Sequence, residues 1–360
     1  MPGLPRIVVL VPARNEAPLI QRKLRNLAWV DWPSVGEHAH VCVVIDDGST
    51  DETAQFALAM GESFGAEAVL RVLGTHQRAG MESGGKAAAI RRALSVLEGE
   101  GEVFDLVVLS DADVVLDRDA LIRLVGAFEG QPNLGVVCGA QVFVQRLGDG
   151  PEPGLDGGPK PSAELYDRAT AVVRAIESRA GRLFSIHGQL CAWRAGQGLE
   201  PPPGLAADDL EIGFRARAQG LFVRLVREAR FYEEKARGEV GEAQAKRRAM
   251  AYFQVMRGRR WPLGSGFADR LQWLVYRGVP PVAPYALLTA FLLSLALAAT
   301  HRGLGGALLL TLIWTLFASV RPGRTLVRRL WIIAIAQRTP LELSDRWDTL
   351  RSRTGVSEGT

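Results

Sequence analysis

Short apolar runs alternate with longer amphipathic segments over the first 225 residues of the chain. The apolar runs predict strands at residues 7–11, 41–45, 68–72, 106–109 and 136–143. The segments between and after them repeat apolar residues at helical spacing and predict helices at residues 20–28, 53–64, 86–98, 118–128 and 163–180. This alternation predicts an α/β domain whose mostly parallel sheet carries helices on both faces.

The hydropathy pattern changes at residue 278. Residues 278–300 and 303–320 contain no charged side chain, and only His301 and Arg302 separate the two stretches. Each stretch is close to the roughly 20 residues that a helix needs to cross a bilayer. Because each is apolar all round, we predict a transmembrane hairpin, with a buried pair of core helices as the alternative. The basic outer flanks place both ends of a multi-pass cell-membrane protein on the cytoplasmic side.

Positive charge is concentrated next to these apolar stretches. The whole chain carries a net charge of only +4, yet residues 235–277 hold ten Lys or Arg against three acids, and residues 321–338 hold five Arg and no acid. This distribution predicts a basic interfacial segment at 236–277 and an amphipathic cytoplasmic tail at 321–360, facing anionic headgroups rather than nucleic acid. Residues 148–161, rich in Gly and Pro, predict a mobile loop that is either a plain insertion or a lid.

Polar residues follow the first two predicted strands. Residues 11–16 read VPARNE, and residues 45–52 read IDDGSTDE, which leaves Asp46 and Asp47 at a strand end. Open α/β sheets bind ligands at the carboxyl ends of their strands, so both segments are candidates for a ligand site. For the second segment, a capped strand-to-helix turn without a ligand is the alternative.

Two carboxylates follow the fourth predicted strand in the sequence LSDADV. Asp111 and Asp113 are two residues apart, so at extended spacing they face the same way and can converge on one hard divalent cation that also holds a diphosphate. Mg²⁺ or Mn²⁺ suits these oxygen ligands, and a solvated acidic turn is the alternative. Lys86 follows two glycines at a predicted helix start, where it could contact phosphate.

A second acidic pair opens the segment ADDLEIGFR at 207–215. Asp208 and Asp209 fall at a predicted helix start, and a carboxylate there is well placed to act as a general base. Ordinary helix capping by Asp208 is the alternative. His187, a lone histidine just before Gly188, favours a structural role over a metal or catalytic one.

Taken in order, and with GQLCAWR at 188–194, these motifs resemble the family 2 glycosyltransferases of the GT-A (Rossmann-like) fold over about residues 5–260. The resemblance implies a GT-A domain at 1–235, followed by the interfacial segment, a membrane hairpin at 278–320 and the tail. It implies that Asp46 and Asp47 contact the base and ribose of a nucleotide sugar, and that Asp111 and Asp113 contact its ribose and metal-bound diphosphate. Asp209 would deprotonate the acceptor hydroxyl.

The resemblance also extends the candidate site. It implies donor contacts from Pro12, Arg14, Glu16, Lys86, Gln244 and Arg247. It implies an acceptor loop that includes Gly188, Gln189, Arg194 and Asp208. The polysaccharide synthases of the family usually carry QxxRW, in which the Trp helps to hold the acceptor sugar. Here residues 244–248 read QAKRR, with Arg248 where the Trp would stand, which disfavours a processive synthase.

The expected activity is therefore an inverting, metal-dependent transfer of a sugar from a nucleotide sugar, with UDP as the expected nucleotide, to a lipid or lipid-linked hydroxyl at the cytoplasmic membrane face. A polyprenyl-phosphate sugar transferase and a processive polysaccharide synthase are the enzymatic alternatives. A membrane-tethered nucleotide-sugar binding protein without turnover is the non-enzymatic one.

Overall fold

A computed structural model of the 360-residue chain describes residues 5–36, 38–74, 85–148, 150–153, 165–202, 207–234, 238–258 and 266–339. Its strands are β1 Ile7–Ala13, β2 His40–Asp46, β3 Ala68–Gly74, β4 Leu106–Ser110, β5 Val115–Leu116, β6 Leu134–Val144, β7 Leu190–Arg194 and β8 Phe222–Glu234. Its helices are α1 Ala17–Trp29, α2 Thr53–Ala59, α3 Lys86–Gly99, α4 Ala120–Gly126, α5 Leu165–Arg179, α6 Asp208–Ala218, α7 Gly238–Gly258, α8 Phe267–Ser319 and α9 Arg321–Ala336, and a 3₁₀ turn covers Gly61–Ser63.

The strands form one eight-stranded mixed sheet in the order β3-β2-β1-β4-β7-β6-β8-β5. Strands β3, β2, β1 and β4 are parallel, as is the pair β6 and β8. Strand β7 runs antiparallel to β4 and β6, and β5 runs antiparallel to β8. The four parallel strands were predicted, whereas β5, β7 and β8 were not, and β7 occupies most of the segment that we assigned to an acceptor loop.

Helices cover both faces of the sheet, as predicted. On one face the side chains of Ile7, Val9 and Val11 pack with those of Leu24 and Leu124 from α1 and α4. The intervening β1 residues point to the other face, where α3 and α6 cover them. The sheet is therefore buried on both sides, and its strand ends and their loops are left to form a site.

Helix α7 joins the domain to the C-terminal helices. Ala251 and Val255 pack with Phe214 of α6, while Phe253 packs against Ala336 of α9. The basic segment predicted at 236–277 therefore contributes side chains to the core of the protein and also contains the first turns of α8. Gly84, most of the predicted 148–161 loop and residues 340–360 of the predicted tail lie outside the described residues.

Helix α8 covers 53 residues and consists of two helical parts that meet at Gly303. The backbone of Gly303 has a φ of 64° and a ψ of −163°, which is not helical. The ring centroids of Phe291 and Trp314, on either side of this break, are 5.5 Å apart. A straight helix would separate them by about 35 Å, so the two parts of α8 turn toward each other at Gly303. Among the described residues, α8 is the one helix long and apolar enough to cross a membrane, judged by length and composition.

Candidate active site

The loops that follow β1 and β2 are bonded to each other. The backbone N–H of Asn15 donates to Ser49 Oγ at 3.0 Å, and the N–H of Thr50 donates to Asn15 Oδ1 at 2.8 Å. Asn15 has a φ of 53°, a left-handed conformation that asparagine tolerates better than most residues. Hydrogen bonds therefore link the two loops to each other at the carboxyl edge of the sheet.

Asp46 and Asp47 lie at this edge, where they were predicted. Asp46 Oδ1 accepts a hydrogen bond from Ser49 N at 3.2 Å, and Asp47, only 2 % exposed, donates its N–H to Ala13 O at 3.0 Å. Both therefore lie two strands away from the acidic pair that follows β4, because β1 separates β2 from β4.

The candidates from VPARNE have different surroundings. Pro12 is buried within β1, in register with Ile45 of β2, so it is part of the interior of the sheet. Arg14 follows β1 and is half-buried. Glu16 is 7 % exposed, and its N–H donates to Thr53 Oγ1 at 2.9 Å, which ties the start of α1 to α2. Of these three residues, Arg14 has the charge and exposure best suited to a ligand contact.

Lys86 joins the two acidic motifs. Its Nζ lies 2.7 Å from Asp111 Oδ1 and 3.3 Å from Asp208 Oδ2. Burial alone would lower the pKa of Lys86, but the carboxylates of Asp111 and Asp208 outweigh it and raise the pKa above its ordinary value. The lysine is therefore a permanent cation, and it brings the acids after β4 and those at the start of α6 into one cleft.

Asp209 stands beside this bridge, at the start of α6. Burial and the neighbouring charge of Asp208 raise the pKa of Asp209 to about 6, against the opposing effects of a hydrogen bond from Leu210 N at 2.8 Å and of the charge on Lys86. A carboxylate with this pKa is ionised at neutral pH and still basic enough to accept a proton. The geometry thus gives Asp209 the properties of a general base.

Gly188 packs directly against this candidate base. A Cβ placed on Gly188 would lie 2.9 Å from Asp209 Cβ, a distance that real side chains do not reach. Only glycine therefore allows residues 187–189 to approach α6 so closely. The structure thus brings Gly188 next to Asp209, and its expected place in an acceptor loop stays a prediction.

Gln189 connects this loop to the strand that carries the first acidic pair. Its carbonyl oxygen accepts hydrogen bonds from Asp111 N at 3.1 Å and Ser110 Oγ at 3.4 Å. Its side chain donates to Glu233 Oε2 at 3.4 Å, and Glu233 is only 2 % exposed. Glu233 was not predicted, because its segment has no long apolar run to mark it as a strand.

Lys23 of α1 supports the segment that carries Asp111 and Asp113, and it too was missed. The side chain is fully buried, and its Nζ donates to Ser110 Oγ at 2.6 Å and to Val114 O at 3.2 Å. Burial lowers the pKa of Lys23 to about 7, although the two aspartates oppose the shift. A lysine on the apolar face of α1, beside Ile20 and Leu24, was the available signal.

The donor atoms of Asp111 and Asp113 suit a divalent metal ion. Both supply hard carboxylate oxygens, which Mg²⁺ and Mn²⁺ prefer. Within the described residues there is no group of three or more His, Cys, Asp or Glu that could hold a metal ion. An ion held by these two aspartates would therefore complete its coordination with donor phosphate oxygens and water.

His187 has the structural role that we predicted. Its Nδ1 forms a hydrogen bond with Gly139 O at 2.9 Å, and burial lowers the pKa of His187 to about 3. The imidazole is therefore neutral, and it holds the start of the 187–189 loop against β6.

Arg194 requires a correction. It pairs in register with Leu106 at the start of β4, whereas Leu190 pairs with Ser110 at the end that leads to the site. The guanidinium instead donates to backbone carbonyls of the 128–134 turn, including Gln131 O at 3.0 Å. Because β7 runs away from the site, Arg194 lies at the opposite edge of the sheet from the 187–189 loop.

Gln244 and Arg247 lie on α7, where both are half-buried. The next residue, Arg248, is the one that reaches the site: its Nη2 is 3.6 Å from Glu233 Oε1. The donor contacts expected for Gln244 and Arg247 remain predictions.

Parallel strands followed by acidic loops, with two aspartates after β4 and a second acidic pair at the start of α6, are an arrangement typical of the GT-A class of glycosyltransferases. Residues 5–253 match the family described as "Glycosyltransferase like family 2", and the chain belongs to that family. The predictions of a family 2 glycosyltransferase and of a GT-A fold are thereby confirmed.

Curated relatives match a shorter region. The chain is 29 % identical over 127 residues to a beta-monoglucosyldiacylglycerol synthase of Nostoc sp., which is 35 % of this chain and 24 % of the relative. It is 28 % identical over 158 residues to the enzyme of the same name from Synechocystis sp., which is 42 % of this chain and 30 % of the relative. The matches thus span less than a third of each relative's length.

A solved structure matches almost the whole chain. The mannosyltransferase PcManGT from Pyrobaculum calidifontis, in complex with GDP-Man and Mn²⁺, is 26 % identical with a TM-score of 0.69. The match covers 94 % of this chain and 87 % of that protein. The similarity therefore extends beyond the sheet to the C-terminal helices.

Proposed function

We propose that this protein transfers a sugar from a nucleoside-diphosphate sugar to a lipid or lipid-linked acceptor at the membrane surface, with inversion at the anomeric carbon. The observation that carries the proposal is the Lys86 bridge between Asp111 and Asp208. The bridge supports the proposal because it joins Asp111, which we expect at the donor diphosphate, to Asp208, which we expect on the acceptor side.

At the donor end, the loops after β1 and β2 would hold the nucleoside, with Asp46 and Asp47 at the base and ribose. The Lys86 cation would hold the diphosphate, because a buried ammonium stabilises a leaving group that gains negative charge. Asp111 and Asp113 would hold Mg²⁺ or Mn²⁺, which offsets the same charge. We expected UDP as the nucleotide, and the complex of the Pyrobaculum mannosyltransferase with GDP-Man makes GDP the first alternative.

At the acceptor end, Asp209 would accept the proton of the acceptor hydroxyl. The hydroxyl oxygen then forms a bond to the anomeric carbon as the bond from that carbon to the diphosphate breaks. If the acceptor oxygen attacks from the side opposite the leaving group, as direct displacement requires, the anomeric centre would be inverted. Gly188 keeps the base accessible to the acceptor, since a side chain there would displace Asp209.

A lipid acceptor is supported by α8 and by the relatives named as monoglucosyldiacylglycerol synthases. We propose that residues 278–320 cross the cell membrane as a hairpin that turns at Gly303, with the 1–235 domain, the 236–277 segment and the 321–360 tail on the cytoplasmic face. A membrane-bound enzyme and a membrane-bound substrate meet in two dimensions, which raises their effective concentration.

The test is a donor screen with the full chain in lipid vesicles that contain diacylglycerol or a phosphate-bearing lipid such as phosphatidylglycerol. UDP- and GDP-sugars are supplied with Mg²⁺ or Mn²⁺, and the released nucleoside diphosphate and the mass of the lipid product are measured. We expect one donor to give a glycosylated lipid, and Asp209→Asn to abolish its formation while donor binding is retained. Donor binding with no nucleotide release from any combination would instead support a binding protein and refute the proposal.

A further inference from the structure

Arg248 is a cation near Asp209 to which the proposed reaction assigns no role. Arg248 of α7 has a side chain that is 51 % exposed, and its Nη2 lies 3.6 Å from Glu233 Oε1. Glu233 is buried, so it holds one edge of the guanidinium against the protein. The remaining N–H groups are directed away from that carboxylate, because the five donors of a guanidinium fan out in a plane.

Contacts place Arg248 on the acceptor side of the cleft. Glu233, its ion-pair partner, accepts a hydrogen bond from the Gln189 side chain at 3.4 Å. The residue before Gln189 is Gly188, which packs against Asp209. In agreement with this chain of contacts, the charge of Arg248 acts on Asp209, where it opposes the rise in pKa. A partly exposed guanidinium therefore stands beside the loop that borders the base.

Arg248 also lies on the helix that connects the site to the membrane-side helices. Two turns or less from it along α7, Met250 and Phe253 pack against Ala336 of α9. Arg328 of α9 forms an ion pair with Glu242 at the other end of α7. The helix that packs on α9 therefore also carries a half-exposed cation that is close enough to Asp209 to act on its charge.

We infer that the acceptor carries a phosphate group and that Arg248 binds it, an inference that rests on the proposed function. An arginine that is half-exposed and paired loosely, at 3.6 Å, with a buried carboxylate keeps N–H donors for a phosphate, whose oxygens accept two parallel N–H bonds. A neutral diacylglycerol presents no anion to these donors. The phosphate either belongs to a headgroup that also bears the hydroxyl deprotonated by Asp209, or is itself the reacting group. In the second case its anionic oxygen would form the bond to the anomeric carbon as the bond to the diphosphate breaks, and no hydroxyl proton would pass to Asp209.

The experiment compares acceptors that differ in this group. Vesicles contain diacylglycerol, phosphatidylglycerol, which carries both a phosphate and hydroxyls, or polyprenyl phosphate, which carries only the phosphate. We expect the wild type to favour a phosphate-bearing acceptor, and Arg248→Met to raise the KM for that acceptor about tenfold or more, because a charge-assisted bond is lost. The KM for the nucleotide sugar should not change, and Arg248→Lys should restore part of the loss.

Lys246→Met is the matched control. Lys246 is exposed on the same helix, so this variant removes an equal charge from α7 without touching Glu233. It reports the general attraction of α7 to anionic vesicles, and we expect acceptor KM within about twofold of the wild type. Melting curves for all variants show whether each is folded, and donor binding shows whether its site is intact.

Three results would overturn the inference. Diacylglycerol could be used as well as either phosphate lipid, Arg248→Met could raise the KM of the donor instead of the acceptor, or Lys246→Met could have the same effect as Arg248→Met. Each of these still allows sugar transfer to a lipid. Failure of the proposed function is a separate result, in which the donor binds and no acceptor releases nucleoside diphosphate.

Discussion

Replacing Asp209 by Asn should stabilise the protein while it abolishes turnover. In the native fold, burial and the charge of Asp208 raise the pKa of Asp209 from 3.8 to about 6. The folded state therefore binds this proton more tightly than the unfolded state does. The group adds stability below about pH 4 and loses that contribution as the pH rises through about 6, where the buried carboxylate ionises.

The magnitude follows from the size of the shift. Each pKa unit corresponds to about 1.4 kcal/mol, so ionised Asp209 lowers the free energy of unfolding by about 2 to 3 kcal/mol at pH 8. Asparagine is neutral at every pH, and its side-chain oxygen can still accept the hydrogen bond from Leu210 N. Asp209→Asn should therefore be more stable than the wild type by about this amount at pH 8, and the difference should disappear near pH 4.

The assay is thermal melting of wild type and variant in the same detergent between pH 4 and pH 8, with chelator present. Asp31→Asn is the control, because Asp31 pairs with Arg118 at the surface and exposed pairs contribute less than about 1 kcal/mol. Equal melting temperatures at pH 8 would refute the raised pKa. In the wild type, kcat should rise tenfold per pH unit below about pH 6, since only ionised Asp209 accepts the proton.

Three further substitutions test separate parts of the site. Gly188→Ala should lower kcat at least about tenfold and leave donor binding, measured by titration calorimetry, unchanged, because the new methyl group displaces Asp209. Arg194→Met should leave both KM values unchanged but lower the free energy of unfolding by about 1 to 3 kcal/mol, since its bonds to backbone carbonyls lie far from the site. The wild type should gain stability relative to Lys23→Met between pH 7 and pH 10 in metal-free melts, because the folded pKa of Lys23 lies near 7 and the unfolded one near 10.5.

The first half of the sheet was predictable because a strand that is buried on both faces appears in the sequence as a continuous apolar run. β1, β2 and β4 are runs of Val, Ile and Leu, and their acids follow at once. The carboxyl ends of parallel strands share one edge, so the order of motifs along the chain was enough to predict that Asp46, Asp47, Asp111 and Asp113 lie at the same edge.

In the second half of the sheet the strands are harder to predict, because β8 is less apolar. β8 reads FVRLVREARFYEE and exposes several of its side chains, so its strand character comes from pairing with β6 and not from an apolar run. Strand β7 was not predicted, because we assigned its segment to an acceptor loop. Its antiparallel direction carries the chain away from the site within five residues, so Gly188 and Gln189 lie near Asp209 and Asp111 while Arg194 lies at the opposite edge of the sheet.

Buried charges were the other part that could not be predicted. Lys23 gains its role from Val114, which lies 91 residues further along the chain. Glu233 gains its role from Gln189, which lies 44 residues earlier. Periodicity marks which face of an element is buried, and it does not show which buried position carries a charge that a distant loop will satisfy. Such residues are found only when the tertiary contacts are known.

Lysine charges explain how the acids of this site can be stable in the fold. Asp111 and Asp208 lie on either side of Lys86 and Asp209 adjoins Asp208, so like charges repel one another where solvent is partly excluded. Lys86 offsets this repulsion between the two carboxylates. Lys23, whose pKa burial lowers to about 7, adds a full charge beneath Asp111 and Asp113 only at lower pH. The pKa of Asp209 nevertheless stays raised, first because the carboxyl is shielded from solvent and second because of the charge of Asp208. Desolvation thus keeps Asp209 basic enough for its proposed role, whereas a cation beside Asp111 and Asp113 would be favoured by their own carboxylates. The two ends of the proposed reaction therefore depend on different physical causes, and Lys86 is the group that joins them.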